Sequence, residues 1–129
     1  MESVGQESCV KTGAICYVEF FTSSLEASRT FYEAVFGWSF VTHPGWDEYL
    51  FFVPPEGVGG IFKRKPEGIT ERGPIVHVQC EDINATLRRA QSAGGKVVMA
   101  RTPKSEGNPE AGFFALIEDN VGNRIGLST

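Results

Sequence analysis

Hydrophobic and polar positions divide the chain into two runs of the same kind. Within residues 22–38 (TSSLEASRTFYEAVFGW), Leu25, Ser28, Tyr32, Val35 and Phe36 recur at spacings of three and four. They share one face of an amphipathic helix, and that face must be buried against a neighbour. Phe31 flanks it. Ser23 and Glu26 are spaced for a capping box, which satisfies amides that the first helical turn leaves without partners. Gly37 stands where a left-handed residue ends a helix. A second helix follows Asp82, a good cap, with Ile83, Leu87 and Ala90 on one face and Gly94 and Gly95 as its stop. Segments 14–21, 39–43, 47–53, 58–64, 74–80, 96–101, 113–118 and 124–128 are short and rich in β-branched and aromatic residues. Proline, glycine and asparagine clusters bound them, and they predict strands.

The order strand, helix, three strands therefore occurs twice. Val76 falls on Val18, Ile83 on Leu25, Ala85 on Ala27 and Gly95 on Gly37, all at a constant shift of 58 positions. The predicted organisation is a flexible tail at 1–13 and a single α+β domain at 14–129, made of βαβββ modules at 14–66 and 73–129. Neither module covers both faces of its own sheet, so the two are expected to pack together around a shared pocket. A single ferredoxin-like sandwich is the alternative, but it leaves the hairpins between 38 and 74 unexplained.

Composition narrows the function. The 129 residues carry a formal charge of -4 and a pI near 5.2, which lacks the electrostatic footprint of a nucleic-acid binder. The basic run Lys63, Arg64, Lys65 is followed by Glu67 and Glu71 and reads as a solvated strand end. Three cysteines, Cys9, Cys16 and Cys80, without CxxC spacing argue against a disulfide framework or a zinc knuckle and fit a reducing cytoplasm. No signal-peptide layout or membrane-span pattern is present. Gly57, Gly59 and Gly60 resemble a phosphate loop, yet no helix follows to receive an anion, so a turn or a close strand approach is expected.

FYEAVFGW after the first strand, CEDINATL after the fifth and EDNVGNRIGL at the end together resemble the vicinal-oxygen-chelate family. That family includes glyoxalase I, extradiol dioxygenases, fosfomycin-modifying enzymes and bleomycin-resistance proteins. The resemblance implies paired βαβββ modules with curled sheets enclosing a pocket, a homodimer, and a divalent metal held by His, Gln or Glu from strands one, four, five and eight. Counted back from the helix caps, the first-strand ligand position is Tyr17 and the fifth-strand position Ile75. The fourth-strand position is Gly59 or Gly60, and the last-strand glutamate of GNxIEL is Gly126. None offers the usual side-chain donor, and a catalytic ion takes about three. The expectation is a glyoxalase- or bleomycin-resistance-like protein with no cofactor that binds a small, partly aromatic molecule.

Glu19 and His77 are repeat equivalents, each two residues beyond a vacant ligand position. Strand alternation points both toward the expected pocket, as an ion pair, an acid–base couple or two ligand anchors. Their plainer role is to satisfy one another as buried polar groups. A lyase, isomerase or dioxygenase using this pair is the alternative function, and an interaction domain with a filled cavity is a third. Glu48 is a conceivable further ligand for a rescued metal site. The expected ligand-binding set is Tyr17, Glu19, Trp46, Phe62, Ile75 and His77, with Tyr49, Phe51 and Phe52 adding aromatic surface. His43, before Pro44, reads as a solvent-facing turn residue. Cys16 and Cys80 alternate onto the helix-covered face. Segment 102–112 reads as an unstructured flap beside the pocket mouth.

Overall fold

The computed structural model describes residues 12, 15, 17–68 and 73–129. The expected tail, Cys9, Cys16 and most of the first strand's opening lie outside the described residues. The first module runs β1 (Val18–Thr22), α1 (Leu25–Phe36), β2 (Ser39–Val41), β3 (Tyr49–Val53) and β4 (Gly60–Arg64). The second repeats it as β5 (Val76–Gln79), α2 (Ile83–Ser92), β6 (Lys96–Pro103), β7 (Phe113–Glu118) and β8 (Arg124–Ser128). Each module forms a four-stranded mixed sheet, ordered β1-β4-β3-β2 and β5-β8-β7-β6. The β1–β4 and β5–β8 pairs are parallel and the others antiparallel. The fold class is the expected one, with two separate sheets in place of a single curled sheet.

The helix starts explain why the repeat holds. Ser24 caps α1, its Oγ accepting from Ala27 N at 3.1 Å, and Asp82 caps α2 by accepting from Ala85 N at 3.1 Å. The cap is therefore Ser24 and not Ser23, and 82 minus 24 restores the shift of 58. Ser23 loses this role because Thr22 Oγ1 already binds the turn: it accepts from Ser24 N at 3.1 Å and from Ser28 Oγ at 2.8 Å, and donates to Ser24 O at 2.9 Å. Glu26 turns outward to Arg29 rather than closing a capping box. Gly37, with φ at 70°, ends α1 in the left-handed conformation as expected. Segment 102–112 is more ordered than its composition suggests, since β6 reaches Pro103 and a single 3-10 turn occupies Pro109–Ala111.

The core lies between each sheet and its helix. In the first module it is a stack of rings: Phe31, Tyr32, Trp38, Phe52 and Phe62 are buried, with Tyr32 and Trp38 4.8 Å apart and Trp38 and Phe52 4.5 Å apart. In the second module it is aliphatic, built from Ile83, Leu87, Ile117, Ile125 and Leu127. One buried polar link joins the modules. Tyr32 Oη donates to Asp119 Oδ2 at 2.8 Å, while Asp119 Oδ1 accepts from Val121 N and Asn123 N in the β7–β8 turn. Burial, reinforced by the Asp119 carboxylate, pushes the Tyr32 phenol well above its usual range. The modules also meet through α1 and α2, with Arg89 Nε reaching Val35 O at 3.4 Å, and through the β7–β8 turn, where Asn120 Nδ2 donates to Ala27 O at 3.0 Å. No helix among the described residues is long and apolar enough to cross a membrane.

Candidate functional site

Because α1 covers the side of the first sheet bearing Phe20, Thr22 and Phe62, alternation leaves Tyr17, Glu19 and Phe21 on the opposite, inner face. The ladder extends this face across the sheet, pairing Glu19 with Ile61, Ile61 with Phe51, and Lys63 with Tyr49. It is open: Tyr17 is 54% exposed and Phe21 39%. Two lysines lie over rings on it, Lys65 at 5.0 Å from the Phe21 centroid and Lys63 at 5.8 Å from that of Tyr49. The Glu19 carboxylate makes no hydrogen bond or ion pair among the described residues.

The inner face of the second sheet presents Ile75, 40% exposed, and His77, whose register partner on β8 is Gly126. The imidazole lies directly over that glycine. A Cβ at residue 126 would run into His77 Cε1 and Nδ1 and stand 2.7 Å from Cγ. His77 Nδ1 is hydrogen-bonded with Ser128 Oγ at 2.9 Å, which fixes the ring in this position. The space in which the resemblance would put a ligating carboxylate is thus filled by an imidazole from the neighbouring strand.

Several expectations change here. Phe62 is fully buried beneath α1, 5.2 Å from the rings of Phe20 and Tyr32, and is no ligand-binding residue; Ile61 and Lys63 hold the inner positions on β4. Glu19 and His77 are not joined, each standing on its own sheet, and His77 has Ser128 as its partner. Glu48 is exposed and faces Arg64 at 3.6 Å rather than Glu19 or His77. The modules pack through their helices and the β7–β8 turn, and the inner faces are not closed over one another within the chain. The fourth-strand position resolves to Gly59, since Gly60 turns to the helix side, where a Cβ would collide with the Val18 carbonyl. The donor set Tyr17, Gly59, Ile75 and Gly126 does not fit a divalent ion. Among the described residues, no group of three or more His, Cys, Asp or Glu is placed to hold one.

A cleft of about 690 Å³ lies between the start of α1 and the β2–β3 turn, lined among others by Arg29, His43, Trp46, Asp47 and Tyr49. Trp46, expected in an inter-module pocket, lines this cleft and packs edge-on against Tyr49 at 5.2 Å and Phe51 at 5.6 Å. His43 is not a solvent-facing turn residue. Its ring meets Phe51 edge-on at 4.7 Å, and Nε2 is buried without a hydrogen-bond partner. Sequence reasoning missed this residue, and the run of aromatics at 46–52 was the signal that its ring had somewhere to pack. Cys80 is buried on the helix side as expected, and burial pushes its thiol up, the opposite of what a nucleophile needs.

The fold has well-matched counterparts of low sequence identity. A glyoxalase/bleomycin resistance protein/dioxygenase family enzyme from Burkholderia phytofirmans is 15% identical, with 87% of this chain and 94% of that one covered at a TM-score of 0.70. The fosfomycin resistance protein FosX from Mesorhizobium loti is 16% identical, covering 92% of this chain and 93% of that one at 0.71. A FosX mutant from Listeria monocytogenes, complexed with Mn(II) and dihydroxypropylphosphonic acid, is 15% identical, covering 92% and 90% at 0.73. No curated protein matches in sequence. The family model of the glyoxalase/bleomycin resistance protein/dioxygenase superfamily matches residues 14–127, nearly the whole chain, and the protein belongs to that superfamily.

Proposed function

We propose that this superfamily member binds a small, partly aromatic molecule on its inner sheet faces without using a metal. The observation that carries this reading is the donor set of the four ligand positions, Tyr17, Gly59, Ile75 and Gly126, which offers no usual side-chain ligand, with the His77 ring lying over the last of them. Tyr17 and Phe21 on the first inner face and Ile75 on the second supply half-exposed apolar surface, while Glu19 and His77 supply one polar anchor on each. Exposed apolar residues on both inner faces are surface that a second copy would cover. A homodimer placing the first-module face of one protomer over the second-module face of its partner would complete the pocket. The odd cysteine count supports a cytoplasmic setting.

A thermal-shift screen against glutathione conjugates, catechols and glycopeptides tests this, because a ligand bound by the native state alone raises Tm with its concentration. The expected result is a stabilising compound whose effect is unchanged by a chelator and lost in Tyr17→Ala. Stabilisation that vanishes with the chelator would contradict it. A second reading is favoured by the His77–Ser128 contact: an oriented imidazole is suited to moving a proton in a glyoxalase-like lyase, isomerase or dioxygenase reaction centred on Glu19 and His77. Turnover lost in both Glu19→Gln and His77→Gln, with the fold intact, would select it.

A further inference from the structure

The cleft beside the start of α1 adjoins the first inner face at Tyr49 but is centred outside it, and its lining is chemically biased. Arg29 is the one formal cation among the residues lining it, and its guanidinium is already held by Glu26 and by Glu33 at 3.1 Å. Asp47 also lines the cleft and makes no ion pair among the described residues, so carboxylates outnumber cations there. Trp46 stands beside them 48% exposed, supported from behind by Tyr49 and Phe51. The face of an indole attracts positive charge through its quadrupole. His43 also lines the cleft, its ring packed edge-on against Phe51 and its Nε2 buried without a hydrogen-bond partner.

We propose that this cleft, at the margin of the first inner face and centred on Trp46 and Asp47, is a second binding site for an organic cation, such as a protonated amine or a guanidinium attached to an apolar group. The charged nitrogen lies between Asp47 and the Trp46 ring, and the apolar part rests on Trp46 and Tyr49. Arg29 is not free to recruit an anion, because its own carboxylates occupy it.

Calorimetric titration with benzylamine, benzyl alcohol and benzoate, probes of one shape and three charges, provides the test. Saturable binding of protonated benzylamine is expected, weakening as ionic strength rises. Benzyl alcohol should bind about tenfold more weakly, and benzoate not at all. Trp46→Leu should weaken benzylamine by about tenfold and Asp47→Asn by about threefold. Both are exposed turn positions, and an unchanged Tm verifies that these variants fold. Tyr17→Ala, on the inner face, should leave benzylamine binding unaltered. Equal affinity for the alcohol, preference for benzoate, absence of saturable binding, or loss in Tyr17→Ala with retention in Trp46→Leu would each overturn the assignment.

Discussion

The two modules share a topology and a set of helix caps, yet the glycine in their equivalent inner strands sits on opposite faces. In β4 it is Gly60, register partner of Val18 and turned toward the helix; at the matching place in β8, the partner of Val76 is Ile125. One residue on, β4 has Ile61 beside Glu19, whereas β8 has Gly126 beside His77. The reason lies in what each face must accommodate. The aromatic core needs backbone room, and a Cβ at 60 would stand 2.9 Å from Phe52 Cε2. The aliphatic core is filled by Ile125 instead, and the missing side chain is moved to the inner face, where an imidazole takes its place. One architecture thus tolerates two packings, and the choice between them determines what the inner face offers a ligand.

The largest effect should come from Gly60→Ala. Its Cβ would meet the Val18 carbonyl and stand 2.8 Å from Val18 N, so β1 and β4 must separate. A loss above about 4 kcal/mol is expected, read as failure to fold cooperatively in denaturant titration. Near-native stability would show that the two glycines are not fixed by their cores. Next is Tyr32→Phe, which leaves the buried Asp119 Oδ2 without its donor and should cost about 1–3 kcal/mol. The same phenol makes a pH prediction. Its pKa is raised on folding, so its contribution is complete below the ordinary tyrosine value of about 10 and falls as pH rises above that value toward the folded one. Alkaline unfolding followed by tyrosinate absorbance should therefore lose this component in Tyr32→Phe.

The smallest effect is at Gly126. Gly126→Ala must displace an exposed ring and not backbone, with an expected cost of about 1–2 kcal/mol. His77→Ala should relieve most of it, giving a coupling of about 1 kcal/mol in a double-mutant cycle. Additive effects would mean that the ring does not occupy that space.

Much of this arrangement was legible in the sequence because it is local. Asp82, Gly37 and the strands at 113–118 and 124–128 are marked by the residues that form them. The face of β4 was not legible, since Ile61 and Phe62 are both apolar and only the pairing of Gly60 with Val18 decides which turns inward. Register across β5 and β8 likewise places Ser128 and Gly126 beside His77 from 49 or more residues away, and no periodicity encodes that. His43 was misjudged for a related reason. A residue before proline at a turn is ordinarily solvated, but Phe51 lies eight positions on and folds back beneath it.

The inner-face proposal stands on the donor chemistry of Tyr17, Gly59, Ile75 and Gly126, and bound metal tests it most directly. Untagged protein incubated with Mn(II), Ni(II) or Zn(II), desalted and measured by elemental analysis should retain only substoichiometric metal, and Gly126→Glu alone should not raise it. One ion retained per chain, displaced by His77→Ala, would contradict a metal-independent site.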